Sequence, residues 1–248
     1  MSRSHRPVTL PALALAVALL AVALLAVAPA CAFNLNKSIA VGDGQTSGGE
    51  STVNGSIEVG RDAVVNGGLE TVNGGIRVHD NARVERVETV NGAVRLADGV
   101  TARDVSSVNG TIEFGSEVSI DGKVSVVNGR IELGTGSRVS NDVSNVNGEI
   151  EIEGSDIGGD LSTVNGDVSL AGSTVLRGDL VVEEPNNGFW DRKERRKPRI
   201  VIGPGVRVLG EIDLEREVEL YISEEAEVGG VTGVMSMDQA IRFSGDRP

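Results

Sequence analysis

The chain has 248 residues and a formal net charge of −13, which speaks against a nucleic-acid partner and for a soluble, self-repelling surface. Its only aromatic residues are four Phe, one Tyr and one Trp, so a core has to be built from Val, Ile and Leu, as suits a narrow interior of branched aliphatics. The 33 Gly point to many turns, and the lone cysteine, Cys31, excludes an intrachain disulfide.

Residues 1–32 read as an export signal. Arg3, His5 and Arg6 precede an unbroken apolar run from Ala12 to Ala28, and Pro29, Ala30, Cys31 and Ala32 follow as a small-residue cleavage region. Three outcomes stay open: cleavage after Ala30 or Ala32, lipid modification of Cys31, or retention as an uncleaved anchor, because the apolar run approaches bilayer-spanning length. Each places the rest of the chain outside the cytoplasm, in the periplasm or at the outer membrane or cell surface.

From residue 33 to 183 a repeat dominates. Val-Asn-Gly begins at Val53, Val72, Val90, Val108, Val127, Val146 and Val164, at intervals of 18 or 19 residues, with a diverged copy at Leu35. Counting the triplet's first residue as position one, position five is Ile39, Ile57, Ile76, Val94, Ile112, Ile131, Ile150 and Val168. Position seven is apolar as well, and three residues before the triplet runs another column, Leu69, Val87, Val105, Val124, Val143 and Leu161.

Asn-Gly between apolar alternations also signals a β-hairpin, so an antiparallel meander has to be tested first. A two-residue turn at Asn109-Gly110 would set Val108 opposite Thr111 and Ser107 opposite Ile112, apolar against polar on one face. A solenoid instead stacks each position on its own equivalent and makes continuous apolar stripes. The expected fold is therefore all-β: a right-handed parallel β-helix, three-sided, of about ten coils and roughly 48 Å of stacked strands.

In this frame the triplet is a corner. Gly is expected to supply a positive φ there, and Asn36, Asn54, Asn73, Asn91, Asn109, Asn128, Asn147 and Asn165 are expected to form a structural ladder of side-chain hydrogen bonds. A third side reads as Val64, Val84, Val100, Val118, Val139, Ile157 and Val175, drifting by a residue or two, and is where the changes in period would be absorbed.

The pattern breaks after Glu183. Residues 184–199 form a loop insertion carrying Trp190 together with Arg192, Lys193, Arg195, Arg196, Lys197 and Arg199. Two readings apply: docking to an envelope component or an anionic surface such as lipid phosphate or an acidic polymer, or neutralisation of the acidic coils nearby. Residues 200–228 return to the repeat as final coils, and residues 229–248, with Met235, Met237, Ile241 and Phe243, are expected to cap the last coil. The other end starts its first coil directly after the leader, leaving end-to-end self-association open.

Catalytic, cofactor and metal sites find no support. With His5 in the leader, His79 is the remaining histidine, and neither a nucleophilic triad nor a zinc cluster can be assembled. Glu113, Glu132 and Glu151 fall at position six of three consecutive coils, where they could share a cation or act as acid and base on a polysaccharide. Arg77 and Arg95 precede them in the same column, which favours a solvated charged face.

The recurring V-N-G-x-I-x-V-G with a drifting V-x-x-x-V resembles the repeats of adhesin-like β-helix domains of bacterial envelope proteins, and more loosely the polymer-forming, bactofilin-like solenoids, over about residues 35 to 225. The resemblance implies a non-enzymatic envelope structural or interaction protein, or, on the bactofilin-like side, end-to-end polymers. A polysaccharide-active β-helix enzyme is the third expectation.

Overall fold

The computed structural model describes residues 33–185 and 196–248. These are short β-strands throughout, with a single 3-10 turn at Met237–Gln239. The leader, Cys31 and the middle of the basic segment lie outside the described residues. Each strand pairs in parallel with its equivalents one coil below and one coil above. Asn109 stands in register with Asn91 on one side and Asn128 on the other. The chain does not reverse at Asn-Gly, and the meander is excluded.

Three faces wind about a common core in about ten coils. The first face holds strands such as Ile57–Val59, Ile112–Phe114 and Arg199–Ile202; the second holds two-residue strands such as Thr101–Ala102 and Ser119–Ile120; the third holds strands such as Asp104–Asn109 and Ile212–Leu214. Several strands run on around a corner, as Val143–Glu153 does from the third face to the first. On the first face positions five and seven point inward and position six outward, so Ile112 and Phe114 are buried while Glu113 is exposed. Val105, Val124, Val143 and Leu161 line the third face from inside. Burying each such side chain contributes roughly 1.5–3 kcal/mol, largely offset by chain entropy, so stability comes from the stack and not from one coil.

The third column of valines resolves into two. Val65, Val84, Ala102, Ile120, Val139, Ile157, Leu176 and Val208 stand in register on the second face. Val100 and Val118 belong to a separate buried column at the corner before it, one register step ahead of those strands, where Ala63 and Ala82 precede them and Ser137, Ser155 and Thr174 follow. Val64 and Val175 are half-buried neighbours of the true column. The apparent drift came from merging these three positions. Most period changes are taken up at the corner after this face, but the short coil from Val146 loses its residue at the corner before it, where the step from Ile152 to Ile157 is shorter than that from Leu133 to Val139. From Val84 to Val87 is a shorter step than from Val65 to Leu69, and the register shift between Val65 and Gly68 marks the extra residue.

The triplet glycine also needs a different explanation. Among these corners only Gly129 and Gly148 have a positive φ. The general requirement is proximity: a Cβ on Gly110 would lie 1.8 Å from the Gly92 carbonyl oxygen, and one on Gly92 2.0 Å from that of Gly74. Left-handed residues sit instead at the corner between the first and second faces, at Gly44, Asp62, Asn81, Gly99, Glu117 and Gly136.

Register survives the insertion, since Val168 pairs with Ile200 and Leu161 with Leu180, itself paired with Ile212. The tail continues the solenoid. Val231–Gly233 pairs with Ile212–Leu214, and Ile241–Phe243 with Tyr221–Ser223, so the tail extends the stack by a further parallel coil with the 3-10 turn as a corner.

Candidate functional site

The amide ladder forms along all eight expected asparagines. Each Nδ2 donates to the Oδ1 one coil earlier, from Asn54 to Asn36 at 2.7 Å through Asn109 to Asn91 at 2.9 Å and on to Asn165 to Asn147 at 3.0 Å. Parallel in-register stacking at about 4.8 Å makes this geometry available. A second ladder lies inside the same corner and was not read from the sequence. Thr52, Thr71, Thr89 and Ser107 donate their hydroxyls to the carbonyls of Lys37, Gly55, Gly74 and Gly92. Its trace is the Thr or Ser preceding the triplet, interrupted at Val126 and replaced at Asn145, whose Nδ2 reaches the Gly129 carbonyl at 2.9 Å.

Of the basic segment, Arg196, Lys197 and Arg199 are described, and each is engaged. Arg196 forms an ion pair with Asp167, Lys197 lies 2.7 Å from Glu217, and Arg199 stacks 4.9 Å above the Tyr221 ring while its backbone N–H donates to Asp167 Oδ1. Arg196 and Lys197 thus face acidic residues of neighbouring coils, whereas the Arg199 guanidinium faces an aromatic ring. Trp190, Arg192, Lys193 and Arg195 lie outside the described residues. At the other foot of the insertion the Glu184 N–H donates to Glu215 Oε2 at 2.9 Å. Burial, and then the neighbouring Glu215 charge, push the Glu183 carboxyl up to about 7.

Glu113, Glu132 and Glu151 do stack on the first face. Arg95 Nε meets Glu113 at 2.9 Å, and Arg130 sits among Glu132, Glu149 and Glu151. Burial and the Glu149 charge raise the Glu151 carboxyl above its ordinary value, against the pull of Arg130. Surface pairs of this kind are worth little individually. Among the described residues no group of three or more His, Cys, Asp or Glu is arranged to hold a metal ion. His79 Nε2 lies 2.8 Å from Glu58 Oε1, an exposed partnership at the coil surface.

The third face differs from the first. Its outward residues form a column of Ser106, Ser125, Ser144 and Ser162, in register from coil to coil, bounded by Glu88 and Glu70 on one side and by Val181 and Asp213 on the other. Beside it stand the triplet valines, which point outward: Val90, Val108 and Val127 are half-buried, Val146 and Val164 buried. Where the first face exposes Glu58, Arg77, Arg95 and Glu113, the third holds its outward residues recessed.

No protein-family model matches the chain, and neither a curated protein nor a solved structure is significantly similar to it. Among the described residues, no helix is long and apolar enough to cross a membrane.

Proposed function

We propose that this chain is an exported, non-enzymatic structural or interaction protein of the bacterial cell envelope, a rigid adhesin-like solenoid that presents its faces to other envelope components. The observation that carries the reading is the leader, in which Arg3, His5 and Arg6 precede the apolar run to Ala28 and the small residues around Cys31. The division of labour within each coil supports it: inward side chains are given over to the core, and the acidic column that most resembles catalytic carboxylates is interleaved with Arg95 and Arg130. Mass spectrometry of the mature N-terminus, on protein recovered from fractionated cells, tests export. A processed or lipid-modified N-terminus in the envelope fraction is expected; an unprocessed Met1 in the cytosol overturns the reading. Incubation with a glycan panel tests the absence of chemistry, and turnover that vanishes in Glu113→Gln, Glu132→Gln or Glu151→Gln would transfer the protein to the polysaccharide-active class.

One observation favours a second reading, self-assembly into a bactofilin-like scaffold. Apolar side chains are exposed at both ends of the described stack, Leu35 at 62 % and Val234 and Ile241 at 56 % and 51 %, beside strand edges that pair with no further coil among the described residues. Sedimentation at micromolar concentration decides it: long assemblies support the scaffold, and a strictly monomeric profile removes it.

A further inference from the structure

We propose that the recessed third face binds an extended, uncharged glycan strand lying along the solenoid axis, with Ser106, Ser125, Ser144 and Ser162 as the floor of the site. This deepens the reading of the chain as an interaction protein and rests on it.

The floor consists of four stacked hydroxyls spaced about 4.8 Å apart, with Glu88 below Ser106 and Val181 above Ser162. None of the four side-chain hydroxyls is hydrogen-bonded to another described residue. Ser125 is only 5 % exposed, yet its oxygen is not sealed from solvent, so an almost buried hydroxyl without a protein partner opens outward.

The borders define the ligand's chemistry. On one side runs the stripe of triplet valines, an apolar strip suited to the C–H face of a sugar ring, and beyond it the amide ladder. Each ladder amide uses one N–H and one lone pair on its neighbours, leaving one of each per coil for an outside partner. On the other side stand Asp104, Lys123, Asp142 and Asp160, with Asp104 and Asp142 spending one carboxylate oxygen on a backbone N–H of the next coil. That wall, with Glu70 and Glu88 below and Asp213 above, holds more acid than base even with Lys123, Arg86 and Arg103 beside it, and so disfavours anionic polymers. Between these borders Ser, Val and Asn make a strip without charge on a chain of net charge −13. A second copy of the chain would have to bring two such acidic rims together. A neutral polyhydroxylated strand meets the hydroxyls, the free amide groups and the apolar stripe without that repulsion.

The test is co-sedimentation of the full-length chain, kept soluble in mild detergent, with neutral insoluble polysaccharides (β-glucan, chitin and mannan), with alginate as the anionic control. Retention on at least one neutral polymer and not on alginate is expected. Ser106→Asp and Ser162→Asp, at half-buried positions, should each weaken retention at least tenfold, with strand content by circular dichroism unchanged. Glu113→Gln on the first face should leave it as it was. Absence of retention on every neutral polymer overturns the proposal, as does undiminished retention in the folded serine variants; the latter leaves the interaction function standing on another face. A dimer that dissociates in Ser162→Asp would assign the groove to a second copy and likewise overturn it.

Discussion

Arg216 closes the amide ladder: its Nη1 donates to Asn165 Oδ1 at 2.9 Å and to the Val164 carbonyl at 3.2 Å. Beyond Asn165 the insertion displaces the repeat, and a cation from the following coils occupies the acceptor that a ninth asparagine would have used.

The ladder should therefore be more sensitive in its middle than at its ends. Asn109→Ala removes both the bond to Asn91 and the bond from Asn128, whereas Asn36→Ala removes one. At roughly 0.5–1.5 kcal/mol for each bond, the former should cost about twice the latter. Urea unfolding midpoints of the two variants check this; equal midpoints would mean that the amides contribute nothing cumulative.

Gly110→Ala should be among the most damaging small substitutions available. The added Cβ meets the Gly92 carbonyl oxygen, a backbone atom fixed by the coil below. Overpacking of this kind costs about 1–3 kcal/mol or more. Gly44→Asn, at a left-handed residue with open space around it, should cost much less. Comparing the melting temperatures of the two variants separates stacking clearance from backbone conformation.

Glu117→Gly should stabilise. Glu117 holds a φ of 59° at a corner where Gly99 and Gly136 occupy the equivalent places in adjacent coils. Relief of roughly 1–2 kcal/mol of left-handed strain outweighs most of the added unfolded-state entropy, giving a net gain of several tenths of a kcal/mol, visible as a higher urea midpoint.

Stability should decline from acid toward neutral pH through Glu183. Its folded pKa, about 7, lies above the ordinary value of 4.5, because burial and Glu215 both disfavour its charge. Below about pH 4.5 the carboxyl is protonated in both states and exacts no penalty; between 4.5 and 7 the unfolded chain ionises first, so folding weakens as pH rises, and above 7 the penalty is complete. Glu183→Gln should flatten this slope, read as urea midpoints at pH 4.5, 6 and 8. Asp156 acts in the opposite sense. Hydrogen bonds from Arg177 hold its carboxyl below the ordinary range, so its contribution is present near neutrality and lost as strong acid is approached.

Much of this architecture was legible because a solenoid repeats its instructions. Ile112 predicts Ile131 and Val94, and Asn109 predicts its own partners, since each residue's neighbour in space is its counterpart one period away. Reading failed where one letter serves two physical demands. Glycine marks both a left-handed turn and a place where two backbones almost touch, and the triplet glycine is mainly the second kind. The third-face hydroxyl ladder was obscured by Val126 and Asn145, and Val100 was merged with Val84 because both are valines a residue or two apart. Nothing local to Lys197 or Arg199 announced Glu217 or Tyr221, which the following coil brings alongside.

The insertion has a practical consequence. Because Val168 still meets Ile200 across it, the molecule accepts extra chain at this corner without losing phase. Foreign peptides grafted between Glu184 and Pro198 should be displayed from the side of the rod while the coils above and below keep their places, making this corner the natural port for a label or an epitope.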